Sequence, residues 1–62
     1  MKIIHEATAT DSTRIRLIER NAHPFHVLIV DDGHIVGIHR ISNNRDQAVR
    51  AFMRMVEIAN AA

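Results

Sequence analysis

The pattern of hydrophobic and polar positions in this chain changes near Ser42. Before that residue, β-branched side chains alternate with polar ones or form short apolar runs, and eight of the nine isoleucines lie there. After it, the chain is rich in Ala, Met, Arg and Gln, which favour helix. The pattern predicts a single α+β domain over residues 1–62. In it, a small antiparallel β-meander of three to four strands precedes one C-terminal amphipathic helix, which packs on one face of the sheet.

The clearest strand signal is a hairpin formed by residues 25–31 and 34–41 around Asp32-Gly33. Asp-Gly is typical of a two-residue type I′ turn, which suits the twist of antiparallel strands. This turn predicts that Asp31 faces His34, Val30 faces Ile35, Leu28 faces Gly37 and His26 faces His39. Two facing imidazoles repel once both are protonated, so the pairing predicts sensitivity to pH near about 6 and below.

Two more strands precede the hairpin. Residues 13–20 alternate basic and apolar side chains over their first half, and residues 2–10 form a weaker strand. Residues 21–24 are predicted to be a turn because Pro24 restricts its neighbour and cannot donate a ladder hydrogen bond. The connections are short, so the sheet is expected to be antiparallel.

The helix is predicted to begin after Ser42, with Asn44 as its N-cap and Gln47 three residues on. At 100° per residue its inner side carries six apolar residues, and Ala51, Met53 and Ile58 widen that side beyond one contact surface. The inner residues are Ala48, Val49, Phe52, Met55, Val56 and Ala59.

The hairpin side chains divide into two apolar sets, and a single helix can cover only one of them. The first set is Phe25, Val27, Ile29, Val36 and Ile38, and the second is Leu28, Val30, Ile35 and Ile41. We therefore expect self-association as a homodimer or higher oligomer. The alternative is that the first strand or the chain termini cover the second set. The expected oligomer interface is Leu28, Val30, Ile35, Gly37, Ile41 and Ile58.

Composition argues against catalysis. The chain has 62 residues and no cysteine, which excludes disulfides, Cys-ligated zinc and a thiol nucleophile. With two glycines there is no phosphate-binding loop, and neither serine lies in a Gly-x-Ser-x-Gly motif. The five histidines match no known metal signature. We expect no enzyme, no cofactor and no metal site.

The N-terminal residues give no signal-peptide pattern, and no apolar run approaches the length of a membrane span. We therefore expect a cytoplasmic protein that does not bind membranes.

Arginine is the residue type that suggests a ligand. Seven of the eight basic residues are Arg, although seven acidic residues leave a formal charge of only +1. A short antiparallel sheet can enter a major groove and present Arg to guanine edges. The alternative is a solvated face with Glu6 and Glu19 as cross-strand partners. The candidate residues for binding nucleic acid or another partner are Arg14, Arg16, Arg20 and Arg40.

Three features of the sequence match DNA-binding folds: Val36-Gly37-Ile38 in a strand, a short link, and Gln47-Ala48-Val49 leading to Phe52. This layout resembles the DNA-binding domain of plant AP2 factors and the arm-binding domain of tyrosine integrases. It is also similar to the strand-hairpin-helix start of HicB-type antitoxins. The resemblance implies DNA binding through the sheet and assigns no residue role, because the sheet tryptophans of the AP2 pattern are missing.

These observations predict a small non-enzymatic binding protein that acts as a homo-oligomer and binds nucleic acid through sheet arginines. The alternative is a protein-interaction module or inhibitor, for example a small phage-encoded inhibitor of a host defence enzyme. That alternative rests on the small size of the chain and on the absence of a catalytic motif.

Overall fold

The computed structural model describes residues 2–20 and 25–61, and these residues confirm the α+β class. Four strands, β1 (Lys2–Thr8), β2 (Arg14–Arg20), β3 (Phe25–Asp31) and β4 (Val36–Arg40), form one antiparallel sheet in the order β1-β2-β3-β4. Helix α1 (Arg45–Ala61) follows β4. The turn predicted for residues 21–24 lies outside the described residues. No helix in the described ranges is long and apolar enough to span a bilayer.

The core forms where α1 packs on one face of the sheet. The alternation in β2 places Ile15 and Leu17 on this face, and both are fully buried. They pack with Leu28 from β3 and with Ala48 and Phe52 from α1. All six helix positions predicted to face inward belong to this core or pack against it. The predicted helix and its buried side are therefore confirmed.

Helix α1 covers only part of the sheet. It lies over β1, β2 and β3, and its backbone does not approach β4. Strand β4 is also the last strand of the sheet, so nothing among the described residues covers it on either face. As a result Val36 and Ile38 are 54% and 69% exposed.

The start of α1 confirms the predicted cap. The Oδ1 atom of Asn44 accepts a hydrogen bond from the backbone N–H of Gln47 at 3.1 Å. The hydroxyl oxygen of Ser42 accepts one from the backbone N–H of Asn44 at 2.9 Å and donates to Oε1 of Gln47 at 3.0 Å. These contacts satisfy backbone donors that have no partner within a helix.

The predicted pairing within the hairpin was wrong by two residues. Asp31 pairs with Val36 and Leu28 pairs with His39, so residues 32–35 form a four-residue turn and His26 does not face His39. The side chain of Asp32 stabilises this longer turn, because its Oδ1 accepts the backbone N–H groups of residues 34 and 35 at 2.8 Å. A type I′ turn needs positive φ at both central residues, and here only Gly33 has it.

Replacing Asn44 with alanine removes the capping acceptor. We expect Asn44→Ala to lower the free energy of unfolding by about 1 kcal/mol, measured by urea denaturation followed by far-UV circular dichroism. Asn43→Ala is the matched control, because Asn43 is an exposed neighbour whose side chain does not cap the helix. Its expected cost is below about 0.5 kcal/mol. Equal losses in the two variants would contradict the assigned cap.

Candidate functional site

All four candidate arginines lie on the sheet face opposite α1. Alternation along β2 places Arg14, Arg16 and Arg20 there, since Ile15 and Leu17 face the helix. Arg40 shares this face because it pairs with Val27 of β3, and Val27 in turn pairs with Ile18 of β2. We call this surface the open face. It comprises Ile3, Glu6, Thr8, Arg14, Arg16, Ile18, Arg20, Phe25, Val27, Ile29, Asp31, Val36, Ile38 and Arg40.

One end of the open face contains an aromatic ring between two guanidinium groups. The Cζ atom of Arg40 lies 4.2 Å from the ring centroid of Phe25, and that of Arg20 lies 5.6 Å from it. Both distances are within the range of cation–π interactions. Arg20 and Phe25 are also direct cross-strand partners. We call these three residues the Arg–Phe cluster. It offers adjacent planar groups near the protein surface.

The other two arginines share one carboxylate. Oε2 of Glu6 lies 3.5 Å from an Nη atom of Arg14 and 3.1 Å from Nε of Arg16. The Arg16 contact is close enough for an ion pair but is not aligned as a hydrogen bond. Glu6 therefore has the cross-strand role that the alternative expectation gave it, whereas Glu19 lies on the opposite face. Because the Arg14 and Glu6 side chains are about half exposed, their pairing is worth at most about 1 kcal/mol.

The open face is also apolar along its middle. Ile18 and Val27 are paired and are 7% and 6% exposed, although α1 lies on the other side of the sheet. Ile38, on the edge strand, is much more accessible. The face therefore combines aliphatic, aromatic and guanidinium groups.

Part of the oligomer interface expected from the sequence lies in the core. Leu28 is 2% exposed and belongs to the core cluster, and Val30 and Ile41 pack against that cluster beneath α1. The helix thus covers the hairpin face that we had assigned to a partner molecule. The face that it leaves open is the one with Phe25 and Val27. Self-association itself stays a prediction.

The other expected interface residues are Ile35, Gly37 and Ile58, which border the space between β4 and α1. Ile35 and Gly37 line a groove of about 250 Å³, together with Val30, Asp32, His39 and Met55. Ile58 lies one helical turn after Met55 and is 55% exposed. The chain therefore has exposed apolar surface on both sides of β4.

His26 has a structural contact that the sequence did not reveal. It is 3% exposed, and its Nδ1–H donates to the carbonyl oxygen of Ser42 at 2.8 Å, which ties β3 to the start of α1. Its Nε2 lies 3.6 Å from Oε2 of Glu19 without a hydrogen bond. Within residues 2–20 and 25–61, no group of three or more His, Asp or Glu residues could hold a metal.

The two ends of the sheet differ in charge. Arg20 and Arg40 lie at one end together with Glu19. The other end contains Asp31 at the end of β3 and the loop residues Asp11 and Asp32, with Arg14 as the cross-strand partner of Asp31. Backbone N–H groups of Ile35 and then of residue 34 donate to the Asp32 carboxylate and lower its pKa. A backbone N–H of residue 13 lowers the pKa of Asp11 in the same way. Both carboxylates therefore stay ionised to lower pH than usual, and the loop end stays acidic.

Comparison of this chain with protein-family models, curated proteins and solved structures found no match.

The lowered pKa of Asp32 predicts how stability depends on pH. A carboxyl group whose pKa is lowered by folding stabilises the protein above its unfolded pKa of about 3.9, and this contribution is lost as pH falls through the folded pKa. We expect Asp32→Asn to lower the melting temperature near about pH 5, where the wild-type carboxylate is ionised, and we expect this difference to shrink as pH falls through the lowered pKa of Asp32.

Glu57→Gln is the control for this experiment, because Glu57 is an exposed carboxylate on α1, away from the hairpin turn. It should follow the wild-type melting curve across the whole pH range. If the difference between wild type and Asp32→Asn did not shrink on acidification, the assigned hydrogen bonds would not explain the stability of the turn.

Proposed function

We propose that this chain is a small non-enzymatic protein that acts as a homo-oligomer and binds single-stranded nucleic acid on its open face. The observation that supports this most directly is the Arg–Phe cluster, in which guanidinium groups lie 4.2 and 5.6 Å from one aromatic ring. Arg14 and Arg16 lie on the same face and extend the basic surface along β2.

Stacking is the first reason for this proposal. Proteins hold unpaired bases against aromatic rings and the planes of Arg guanidinium groups, and each such contact is worth about 1–3 kcal/mol. Phe25 is only partly buried, and Arg20 and Arg40 are exposed. A base can therefore reach these planar groups without displacing the core.

Charge is the second reason. The open face presents four arginines against the carboxylates of Glu6 and Asp31, although the whole chain has a formal charge of only +1. Positive charge is thus concentrated on the face that also offers stacking groups. Backbone phosphates of a nucleic acid strand would lie near Arg14 and Arg16, which keep about half and a quarter of their side-chain surface exposed.

The width of the sheet favours a single strand over a duplex. Four strands at the usual spacing of about 4.8 Å extend about 14 Å between the outer strand axes. This is wider than the major groove of B-form DNA, which is about 12 Å across. An unpaired strand can instead lie flat across the face.

Binding to another protein is the second candidate function. The exposed apolar side chains of Val36 and Ile38 favour it, since such residues commonly form protein interfaces. Nucleic acid is the better-supported ligand because the open face carries four arginines, two of them beside an aromatic ring, which a purely apolar protein partner would not require.

A fluorescence anisotropy titration with labelled single-stranded oligonucleotides tests the proposal. Binding should weaken steeply with salt, with a slope of log K against log salt of about −1.4 to −2.8 for two to four phosphate contacts. We expect Arg20→Ala to weaken binding by about fivefold or more, because it removes a guanidinium plane on which a base stacks. Phe25→Leu should weaken binding while leaving the slope unchanged.

Arg50→Ala is the matched control, because it removes the same charge from an exposed position on α1. It should bind nearly as well as the wild type. Absence of binding at low salt would disprove the proposed ligand. Equal weakening by Arg20→Ala and Arg50→Ala would show attraction by overall charge and would exclude the open face as a defined site.

A further inference from the structure

We propose that β4 pairs antiparallel with β4 of a second copy of this chain, so that two four-stranded sheets join into one continuous sheet. The proposal rests on the homo-oligomer of the proposed function and does not depend on nucleic-acid binding. It identifies the surface through which the copies associate. That surface is the free edge of β4, defined by the backbone of Val36, Ile38 and Arg40.

The backbone of β4 has unpaired hydrogen-bonding groups along this edge. The N–H of Ile41 donates to the carbonyl oxygen of His26 at 3.0 Å, so the backbone of Ile41 faces β3. Antiparallel pairing alternates, so Gly37 and His39 also face β3 with their backbone groups. The N–H and C=O groups of Val36, Ile38 and Arg40 then face outward, where β-strand pairing can satisfy them.

The opposite edge of the sheet is protected, and this contrast selects β4. Strand β1 has an irregularity in its register between Ile3 and His5 and presents the charged residues Lys2 and Glu6. Bulges and charges of this kind prevent edge-to-edge pairing in natural sheets. Strand β4 keeps a regular register from Val36 to Arg40 and contains no proline. Of the three residues whose backbone groups face the free edge, two have apolar side chains.

A two-fold axis at Ile38 pairs the largest number of outward-facing backbone N–H and C=O groups of β4 with the partner strand. In that register Ile38 lies opposite the partner's Ile38, and Val36 lies opposite the partner's Arg40, so all three outward residues of each copy are paired. The two Ile38 side chains, each 69% exposed in the single chain, then contact each other on the open face. A shift by one pair in either direction leaves one of the outward residues without a strand partner.

Charge complementarity supports the same arrangement. Asp31 pairs with Val36 inside each sheet, so Arg40 comes two strands, about 10 Å, from the partner's Asp31. Antiparallel pairing thus places the basic end of each copy beside the acidic hairpin turn of the other. A parallel arrangement would bring ends of like charge together.

The accessible surface of the chain agrees with a missing contact. The chain exposes 4490 Å², whereas a compact monomer of this mass exposes about 4,000 Å². Apolar groups around β4, including Ile35, which is 73% exposed, contribute to this surface. Pairing of the two β4 strands also brings together the two grooves beside α1, because Gly37 then lies opposite the partner's His39.

Cysteine cross-linking tests the register directly, since the chain has no cysteine of its own. Two Ile38 positions would have Cα atoms about 5.5 Å apart, which suits a disulfide. The two Val36 positions would be more than about 13 Å apart. We expect oxidised Ile38→Cys to run as a dimer on a non-reducing gel and Val36→Cys to remain a monomer. Equal cross-linking at both positions, or none at position 38, would overturn the proposed pairing.

Sedimentation velocity without nucleic acid provides an independent test. The wild type should sediment as twice the chain mass of 7.0 kDa, and Ile38→Lys, which places two like charges at the axis, should sediment as a monomer. Met53→Lys is the control: it makes the same change at a residue of α1 that is 59% exposed and remote from β4, and it should stay dimeric.

Far-UV circular dichroism shows whether each variant is folded, so that loss of the dimer is not confused with unfolding. A wild-type monomer at high micromolar concentration would overturn the proposal, whatever the nucleic-acid titration shows. A dimer that persists in Ile38→Lys would also overturn it and would leave the β4 edge free for the strand of another protein. Conversely, a confirmed dimer that binds no oligonucleotide would disprove only the proposed ligand.

Discussion

The structure depends on one constraint: the four-stranded sheet has two apolar faces, and the single helix can cover only one of them. Helix α1 packs Ala48 and Phe52 against Ile15, Leu17 and Leu28, and it extends over three strands. On the opposite face Ile18 and Val27 are nonetheless buried, whereas Val36 and Ile38 of the edge strand β4 stay exposed. Both surfaces to which we assign functions are therefore consequences of the same packing arrangement.

Strand β2 decides which face the helix covers. Ile15 and Leu17 lie on one side of it, and Arg14 and Arg16 lie on the other, where burial beneath a helix would remove their charges from water at high cost. The hairpin alone is apolar on both faces and contains no such signal, so sequence reasoning placed the partner on the Leu28 face. The information was present in β2. Applying it to β3 requires the register between the two strands, which is a long-range property.

Features set by local interactions were predictable from the sequence. The Asn44 cap, the inward positions of α1 and the alternation of β2 all follow from residues close together in the chain. The hairpin register was predicted wrongly. The side chain of Asp32 supplies two hydrogen bonds that favour a four-residue turn over the expected two-residue turn. An error of two residues still leaves every side chain on its predicted face, so the division into two apolar sets was confirmed although the pairs were wrong.

The orientation of α1 connects the two proposed surfaces. The helix begins beside His26, whose backbone and ring donate to the carbonyl of Ser42, and it ends where Asn60 accepts a hydrogen bond from the backbone of Thr10. Its positive end therefore lies toward Arg20 and Arg40, while its negative end, which has no basic residue in the last turn, lies toward the acidic loops. The helix dipole and the charged side chains therefore have the same polarity, with the positive end at Arg20 and Arg40 and the negative end at the acidic loops. This charge distribution is the common basis of the two proposals: an anionic strand bound at the basic end of the open face, and antiparallel association of two copies.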